Sequence, residues 1–297
     1  MHIPKTFFPI LAGLVFPALL PAADSQESPI VVPPLVQPAT HESLPGKFIW
    51  GDLFAAYPLQ AAKFYSQVLG WNLRRFENGD QAYWMMFNGD RPVAGVVRHA
   101  PEETRPDALK ARWVGYISVP DLAGAVEKVK AEGGQVLVEP RSVPDRGTLA
   151  IVTDSQGTIV GLMNSSSGDP ADREAETGGW IWVQLFSTQP RESKSFYESV
   201  FGYEVTDDPR TERDDDYLLV SQGYSRAGLV PLEAPPGTRG GWMGFVRVAD
   251  IEATLRTARE LGSKVLLAPD TGDPAADKMA VLTDTYGGVF GLFEFGE

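Results

Sequence analysis

Histidine is the scarcest residue in this sequence that could do chemistry. The chain has three histidines, His2, His41 and His99, and it has no cysteine. The lack of cysteine excludes thiol catalysis and thiolate ligands to a metal. His41 lies in a proline-rich stretch, and His99 lies at the predicted end of a strand, where we expect a solvated loop residue and not a ligand or a base. The sequence therefore offers little imidazole chemistry.

Two further sequence patterns resemble catalytic or metal sites but lack the required spacing. The string GYSRAG at Gly223 has the wrong spacing for a nucleophile elbow, and the same half of the chain has no histidine that could activate Ser225. The carboxylates Asp214, Asp215 and Asp216 lack the spacing of a loop that wraps calcium and predict the solvated tip of a hairpin. We expect neither a serine hydrolase nor a calcium site.

Aromatic and polar residues alternate along several predicted strands. Side chains two positions apart share one face of a strand, so Trp50 and Asp52 point the same way, as do Trp182 and Gln184. An aromatic face with a few polar groups is typical of a small-molecule site, although tryptophans on a sheet face are also common core residues. Both interpretations stay open for these side chains.

An internal repeat places these residues on matching elements. The segment GKFIWGDLFAAYPLQAAKFYSQVLGWNLR, from Gly46, matches GGWIWVQLFSTQPRESKSFYESVFGYEVT, from Gly178, and later segments continue the match. Self-similarity of this length predicts two tandem domains, over residues 46–165 and 178–297, joined by a polar linker over residues 166–177.

Within each copy, apolar residues recur every second residue in some segments and about every 3.6 residues in others, which predicts strands and helices respectively. FIWGDLFA predicts a strand, and Pro58 to Leu69 predicts an amphipathic helix that ends at Gly70. Three strands follow, and the same order then recurs with Asp121 as the N-cap of a second helix. Each domain is thus predicted to be a pair of β-α-β-β-β modules, an α+β fold in which helices cover the outer faces of curled sheets.

The first helices contain FYSQVLGW and FYESVFGY, and DSQGTIVGLM and DTYGGVFGL lie near the ends of the domains. Together with the order of the elements, these segments resemble the vicinal oxygen chelate superfamily. That superfamily includes glyoxalase, bleomycin resistance proteins and extradiol dioxygenases. The resemblance covers both repeats. It implies that paired modules form a cup, which in metal-using members holds a divalent ion through His, Gln or Glu side chains on the first and last strands of a module.

The implied ligand positions carry no suitable side chains. Counting from the Phe-Tyr pair places the first-strand positions at Trp50 and Trp182, and counting from the Asp-x-x-Gly turn places the last-strand positions at Gly161 and Gly291. The corresponding first strands of the second modules carry Val114 and Met243. A divalent ion needs several oxygen or nitrogen donors, so we expect no metal and no cofactor.

The resemblance implies a cup that is lined instead by aromatic and polar side chains. These could bind a small aromatic or polar ligand by stacking and hydrogen bonds. The predicted ligand-binding residues are Trp50, Asp52, Tyr116, Trp182, Gln184, Phe245 and Arg247. The leading hypothesis is a metal-independent binding protein. The alternatives are a metal-dependent lyase or dioxygenase with rearranged ligands, and a structural protein whose aromatic faces are filled cores.

The amino terminus predicts export. Residues 1–23 combine Lys5, a short apolar stretch and two small residues, which is typical of a signal peptide, and residues 24–45 predict a proline-rich tether without packed structure. With 26 basic and 39 acidic residues and a net charge of −13, the chain is not expected to bind nucleic acid or anionic lipid. We expect a periplasmic or secreted monomer, an intrachain pseudo-dimer with no stable membrane anchor after cleavage.

Overall fold

The computed structural model describes residues 30–78, 81–99, 111–235, 237–270 and 277–296. The predicted signal peptide lies outside these residues. Among the helices that are described, none is long and apolar enough to cross a bilayer.

The first repeat follows the predicted order of strands and helices. Its elements are β1 (Phe48–Ala55), α1 (Pro58–Leu69), β2 (Asn72–Asn78), β3 (Gln81–Asn88), β4 (Arg91–Arg98), β5 (Ala111–Ser118), α2 (Leu122–Ala131), β6 (Gln135–Val143), β7 (Gly147–Thr153) and β8 (Ile159–Ser165).

The second repeat has the same order with shorter outer strands. Its elements are β9 (Trp180–Ser187), α3 (Pro190–Phe201), β10 (Glu204–Asp207), β11 (Tyr217–Ser221), β12 (Tyr224–Pro231), β13 (Gly241–Arg247), α4 (Ile251–Glu260), β14 (Lys264–Leu267), β15 (Lys278–Thr283) and β16 (Val289–Glu294).

The helix boundaries arise from local sequence. Helix α1 begins at a proline and ends at Gly70, whose φ of 72° is left-handed, a conformation that favours glycine. Helix α2 begins after Asp121, whose carboxylate accepts a hydrogen bond from the backbone N–H of Gly124. Asp250 caps α4 in the same way through Ala253. These boundaries confirm the predicted helix signals.

Each repeat forms one eight-stranded mixed sheet, in the orders β2-β3-β4-β1-β5-β8-β7-β6 and β10-β11-β12-β9-β13-β16-β15-β14. Within every β-α-β-β-β module the first and last strands pair in parallel, and the last three strands pair with one another in antiparallel order. The predicted α+β fold of two tandem domains with open, curled sheets is confirmed.

The chain also divides into two compact units that do not follow the repeats. The first unit contains residues up to 50, 114–171 and 183–242, and the second contains residues 51–113, 172–182 and 243–297. In the first unit α2 packs with α3, and in the second α1 packs with α4. Each unit thus combines a module from one repeat with a module from the other.

Both units have aromatic-rich cores between their helices and sheets. In the first unit, Val126 and Val129 of α2 share a buried cluster with Phe196 and Val200 of α3. In the second, Phe64 of α1 shares a cluster with Ile251 and Leu255 of α4 and with Phe290 of β16. Burial of these side chains supplies most of the driving force for pairing the modules.

The proline-rich segment is packed within the first unit, so the expectation of no packed structure does not hold for residues 30–45. Val32 is buried, and the backbone N–H groups of Thr40 and His41 donate to the carbonyl of Ser167. The segment lacks the hydrophobic periodicity that sequence analysis detects, because hydrogen bonds to the linker, not an amphipathic face, hold it in place.

Candidate functional site

Strand alternation separates a helix-packed face from an opposite face in each sheet. Leu53 and Ala55 lie in the core beneath the helices of the second unit, so Asp52 lies on the opposite face of β1. Ile117 lies in the core of the first unit, which places Tyr116 on the opposite face of β5. The predicted candidates on these strands therefore share the faces that the helices do not cover.

The parallel pairing of first and last strands brings one such side chain beside a glycine in every module. The four pairs are Asp52 with Gly95, Tyr116 with Gly161, Gln184 with Gly228, and Phe245 with Gly291.

This register shows which first-strand residues lie beside the implied last-strand positions. The residue beside Gly161 is Tyr116, and the residue beside Gly291 is Phe245. In the first modules the equivalent residue lies two positions beyond each predicted tryptophan, at Asp52 and Gln184. The implied positions Trp50 and Trp182 thus lie two residues before the neighbours of the glycines and, by strand alternation, on the same faces.

Each of these glycines is required by its neighbour. A Cβ atom at Gly95 would overlap the hydroxyl of Tyr83 and a carboxylate oxygen of Asp52. At Gly161 and Gly291 it would overlap the rings of Tyr116 and Phe245, and at Gly228 it would meet the amide of Gln184. The last-strand positions thus have no ligand side chain, and at Gly161 and Gly291 an aromatic ring occupies the space of one.

The family-implied divalent ion does not fit these residues. Of the four first-strand side chains, Asp52 and Gln184 carry the donor types that such ions commonly take, and they belong to different sheets. Among the residues that the structure describes, no group of three or more histidine, aspartate or glutamate side chains is placed to hold a metal.

Asp52 is hydrogen-bonded to a residue that the sequence did not mark as functional. The hydroxyl of Tyr83 donates to Oδ1 of Asp52 at 2.7 Å, and Asp52 is 6% exposed. Tyr83 has no tyrosine at the corresponding position of the second repeat. The register matches Tyr217 with Trp84, since these pair with Leu229 and Val96, each one residue beyond the glycine.

The predicted tryptophans differ in their surroundings. Trp50 is buried, and the guanidinium carbon of Arg146 lies 4.0 Å above the centre of its ring. Arg146 is itself held by the proline-rich segment, because its Nε donates to the carbonyl of Pro33 at 2.6 Å. Trp182 is half-buried.

The other predicted ligand-binding residues of the second repeat are engaged within the protein. Phe245 is fully buried against Gly291. Arg247 forms an ion pair with Glu174 at 2.8 Å and donates to the carbonyl of Ala175. Its guanidinium also lies over the ring of Phe295. These contacts give Arg247 a role in holding the linker within the second unit.

Two residues that were expected to be solvated, His99 and Asp216, are buried. His99 is 3% exposed, and its backbone N–H donates to the carbonyl of Ala55. Asp214 is solvated as predicted, but Asp216 is buried and lies 3.3 Å from Nε of Arg213. Burial raises the pKa of Asp216. The nearby arginine offsets part of the cost of burying this charge, which sequence spacing alone did not reveal.

Each unit also contains a Trp-Tyr-Asp chain of hydrogen bonds in which the tyrosine and the aspartate are buried. In the second unit, Nε1 of Trp113 donates to the hydroxyl of Tyr65 at 2.8 Å, and Tyr65 donates to Oδ2 of Asp284 at 3.0 Å. In the first unit the corresponding distances are 2.9 Å from Trp242 to Tyr197 and 3.4 Å from Tyr197 to Asp154.

The aspartates of these chains belong to the Asp-x-x-Gly turns noted in the sequence. Oδ1 of Asp284 accepts the backbone N–H groups of Tyr286 and Gly288, and Asp154 accepts those of Gln156 and Thr158. Burial is the largest influence on both carboxyl groups and raises their pKa. The residues of the Asp-x-x-Gly motif were visible in the sequence. The hydrogen bond from each tyrosine to its aspartate was not predictable, because the two residues come from different repeats.

These features define a protein of two tandem glyoxalase-like domains. The chain belongs to the glyoxalase/bleomycin resistance protein/dioxygenase superfamily, whose profile matches residues 53–162, and a glyoxalase-like domain profile matches residues 180–293. The resemblance to the vicinal oxygen chelate superfamily is therefore confirmed.

The chain aligns with curated relatives over most of their length. The chain is 28% identical to CFP32 of Mycobacterium bovis, which carries the name of a glyoxylase, over 82% of this chain and 93% of the relative. It is 26% identical to the anthracycline biosynthesis protein DauV of a Streptomyces species, over 85% of this chain and 94% of the relative.

Solved structures confirm the fold at low sequence identity. The Mn(II)-bound glyoxalase from Novosphingobium aromaticivorans aligns with a TM-score of 0.57 and 16% identity, over 86% of this chain and 84% of that one. The 2,2′,3-trihydroxybiphenyl 1,2-dioxygenase of Sphingomonas wittichii aligns with a TM-score of 0.55 and 14% identity, over 86% and 92% of the two chains.

Proposed function

We propose that this is an exported glyoxalase-like protein that has lost the metal ligands of its superfamily and binds a small molecule on its aromatic-lined sheet faces. The observation that carries the proposal is the glycine beside the first-strand side chain in all four modules. A glycine there supplies no donor, and at Gly161 and Gly291 the ring of the neighbour occupies the space that a larger residue would need. We further propose a periplasmic or secreted monomer.

The composition of the sheet faces opposite the helices supports small-molecule binding. On β1 and β3 the face opposite α1 carries Asp52, Phe54, Tyr83, Met85 and Phe87. An apolar and aromatic surface with a few fixed polar groups is what small-molecule sites usually present. The naming of one relative for anthracycline biosynthesis is consistent with an aromatic ligand.

The alternative is a metal-dependent lyase or dioxygenase that uses non-standard ligands. Its support is comparative, since one relative is named as a glyoxylase and the solved structures of this fold include a Mn(II)-bound glyoxalase and extradiol dioxygenases. This alternative requires stoichiometric metal and an activity that a chelator abolishes.

Elemental analysis separates the two candidates. The mature chain, purified without chelator, is analysed for Mn, Fe, Ni and Zn, and its thermal unfolding is followed with and without each ion and with a panel of aromatic compounds. We expect less than about a tenth of an equivalent of any metal. We also expect some aromatic compounds to raise the unfolding temperature, because a ligand that binds the folded state raises its stability. Near-stoichiometric metal would overturn the proposal in favour of the alternative.

A further inference from the structure

We propose that Tyr57 and Tyr286 form a site of oxidative modification, at which peroxide and a haem peroxidase couple the two phenol rings into a dityrosine link. Both residues belong to the second unit, and the link joins the first repeat to the second. The inference goes beyond the proposed small-molecule function and does not depend on ligand binding.

The two rings are already in contact in the folded protein. Their centres lie 5.4 Å apart, with an angle of 39° between the ring planes. This distance falls within the range of about 4.5–7 Å at which aromatic side chains pack against each other. Tyr57 is 49% exposed, and Tyr286 is half-buried. An oxidant in solution therefore reaches the first phenol, and its partner ring is beside it without a large movement.

Hydrogen bonds fix the two backbone segments that carry these rings. Tyr57 directly precedes α1, and its carbonyl accepts the backbone N–H of Ala61. Tyr286 lies in an Asp-x-x-Gly turn, where its backbone N–H donates to Oδ1 of Asp284. Further along α1, Tyr65 donates to the other oxygen of the same carboxylate. Helix α1 and the turn are thus joined at a second point, which holds the two rings against each other.

The first unit makes the equivalent contact with side chains that cannot couple. Gln189 precedes α3 as Tyr57 precedes α1. Gln156 occupies the position of Tyr286 in the turn that begins at Asp154. In this unit Nε2 of Gln156 donates to the carbonyl of Gln189 at 3.2 Å. Two amide side chains therefore suffice to hold this junction, and packing alone does not require a pair of phenols in the second unit.

The coupling consumes one hydrogen peroxide and releases two water molecules. The peroxidase takes one electron and one proton from the hydroxyl of each tyrosine, and these reduce the oxygen–oxygen bond of the peroxide to water. The two phenoxyl radicals then form one carbon–carbon bond between ring carbons ortho to their oxygens. The hydrogens on those carbons move to the oxygens as protons, which restores both phenols. The linked chain is therefore lighter by two hydrogen atoms.

A link at this site braces the second unit across the two repeats. Residues 57 and 286 lie near opposite ends of the repeated region, and the chain has no cysteine that could form a disulfide. A covalent bond between two residues stabilises the fold mainly by restricting the unfolded chain, and the effect grows with the length of the closed loop. A dityrosine link would thus give this chain the kind of brace that a disulfide gives to others.

The test treats the mature chain, at low micromolar concentration, with hydrogen peroxide and a haem peroxidase. Trypsin then releases peptides 48–63 and 279–297, each of which contains a single tyrosine, so a linked pair of these peptides identifies the site in a mass spectrum. Y57F and Y286F keep each ring and remove its hydroxyl. Y224F is the matched control, because Tyr224 is 57% exposed and lies in the first unit.

We expect the wild type and Y224F to gain dityrosine fluorescence and the linked peptide pair, and Y57F and Y286F to lose the linked pair. A ring held in contact has an effective concentration in the millimolar range or above, so coupling within the chain should exceed coupling between chains by about tenfold or more. In the linked wild type, hydrogen exchange in α1 should slow by about threefold or more, with α3 of the first unit as the internal comparison.

Three results would overturn the site. A free tyrosine peptide, oxidised in a parallel reaction, shows that the oxidant is active; if that peptide couples and the chain yields no linked pair, the site is refuted. Linked dimers in place of a link within one chain, or dityrosine that persists unchanged in Y57F, would place the coupling at other tyrosines. Unchanged hydrogen exchange in the linked chain would refute the bracing of the second unit.

Discussion

Removing one hydroxyl from each Trp-Tyr-Asp chain should destabilise the second unit more than the first. Tyr65→Phe leaves Nε1 of Trp113 and Oδ2 of Asp284 without the hydroxyl that they contact at 2.8 and 3.0 Å. A buried polar group that loses its partner costs about 1–3 kcal/mol. With two such groups, we expect the free energy of unfolding to fall by about 2–4 kcal/mol.

Tyr197→Phe removes the equivalent hydroxyl with a smaller expected effect. The hydrogen bond from Tyr197 to Asp154 is long, at 3.4 Å, and therefore weak, so mainly the bond from Trp242 is lost. We expect a loss of about 1–2 kcal/mol. Tyr224→Phe, at a residue that is largely exposed, serves as the control and should change stability by less than about 0.5 kcal/mol.

The measurement is urea unfolding followed by far-ultraviolet circular dichroism. Because the two units can unfold in separate steps, hydrogen exchange read by mass spectrometry on peptides from α1 and α3 assigns each loss to its unit. Faster exchange is expected around α1 in the first variant and around α3 in the second. Equal losses in the two variants, or an unchanged stability in Tyr65→Phe, would refute the reasoning from hydrogen-bond length and burial.

Further outcomes follow from the same structure. Burial raises the pKa of Asp284, so this carboxyl contributes stability that is fully present below its unfolded pKa of about 4 and is lost as pH rises through the folded pKa. Asp284→Asn, which cannot titrate, should show a shallower decline of unfolding free energy between acidic and neutral pH in urea titrations; an identical decline would exclude Asp284 as its source. Gly161→Ala should lower stability by about 1–3 kcal/mol because the new methyl group overlaps the ring of Tyr116, and an unchanged Tm would contradict the strand register. Deletion of residues 1–23 should retain the protein in the cytoplasm, whereas periplasmic recovery of the deleted chain in cell fractionation would contradict the signal peptide.

The fold was predictable because both repeats carry the same pattern of strand and helix signals. Matching phrases such as FYSQVLGW and FYESVFGY fix the order of elements, and residues such as Gly70 and Asp121 act through local geometry. These signals depend on neighbours in the chain and are therefore visible in the sequence.

The site was only partly predictable because it depends on strand pairing. Sequence alternation put Asp52 and Gln184 on the correct faces, but the glycines beside them lie on strands more than forty residues away and are found only from the register. Tyr83 was missed for the same reason. The burial of His99 and the packing of residues 30–45 likewise depend on distant backbone groups, which no local pattern encodes.

Because helices from different repeats pack together, a gene that encodes only one repeat would yield an incomplete fold. A premature stop codon between the repeats would spare every residue of the first one, yet it would remove α3 from beside α2 and α4 from beside α1. The shortened product would expose the apolar sides of both remaining helices and would be prone to aggregation or proteolysis. The genetic unit that can be lost or transferred without damage is therefore the whole tandem and not one half of it.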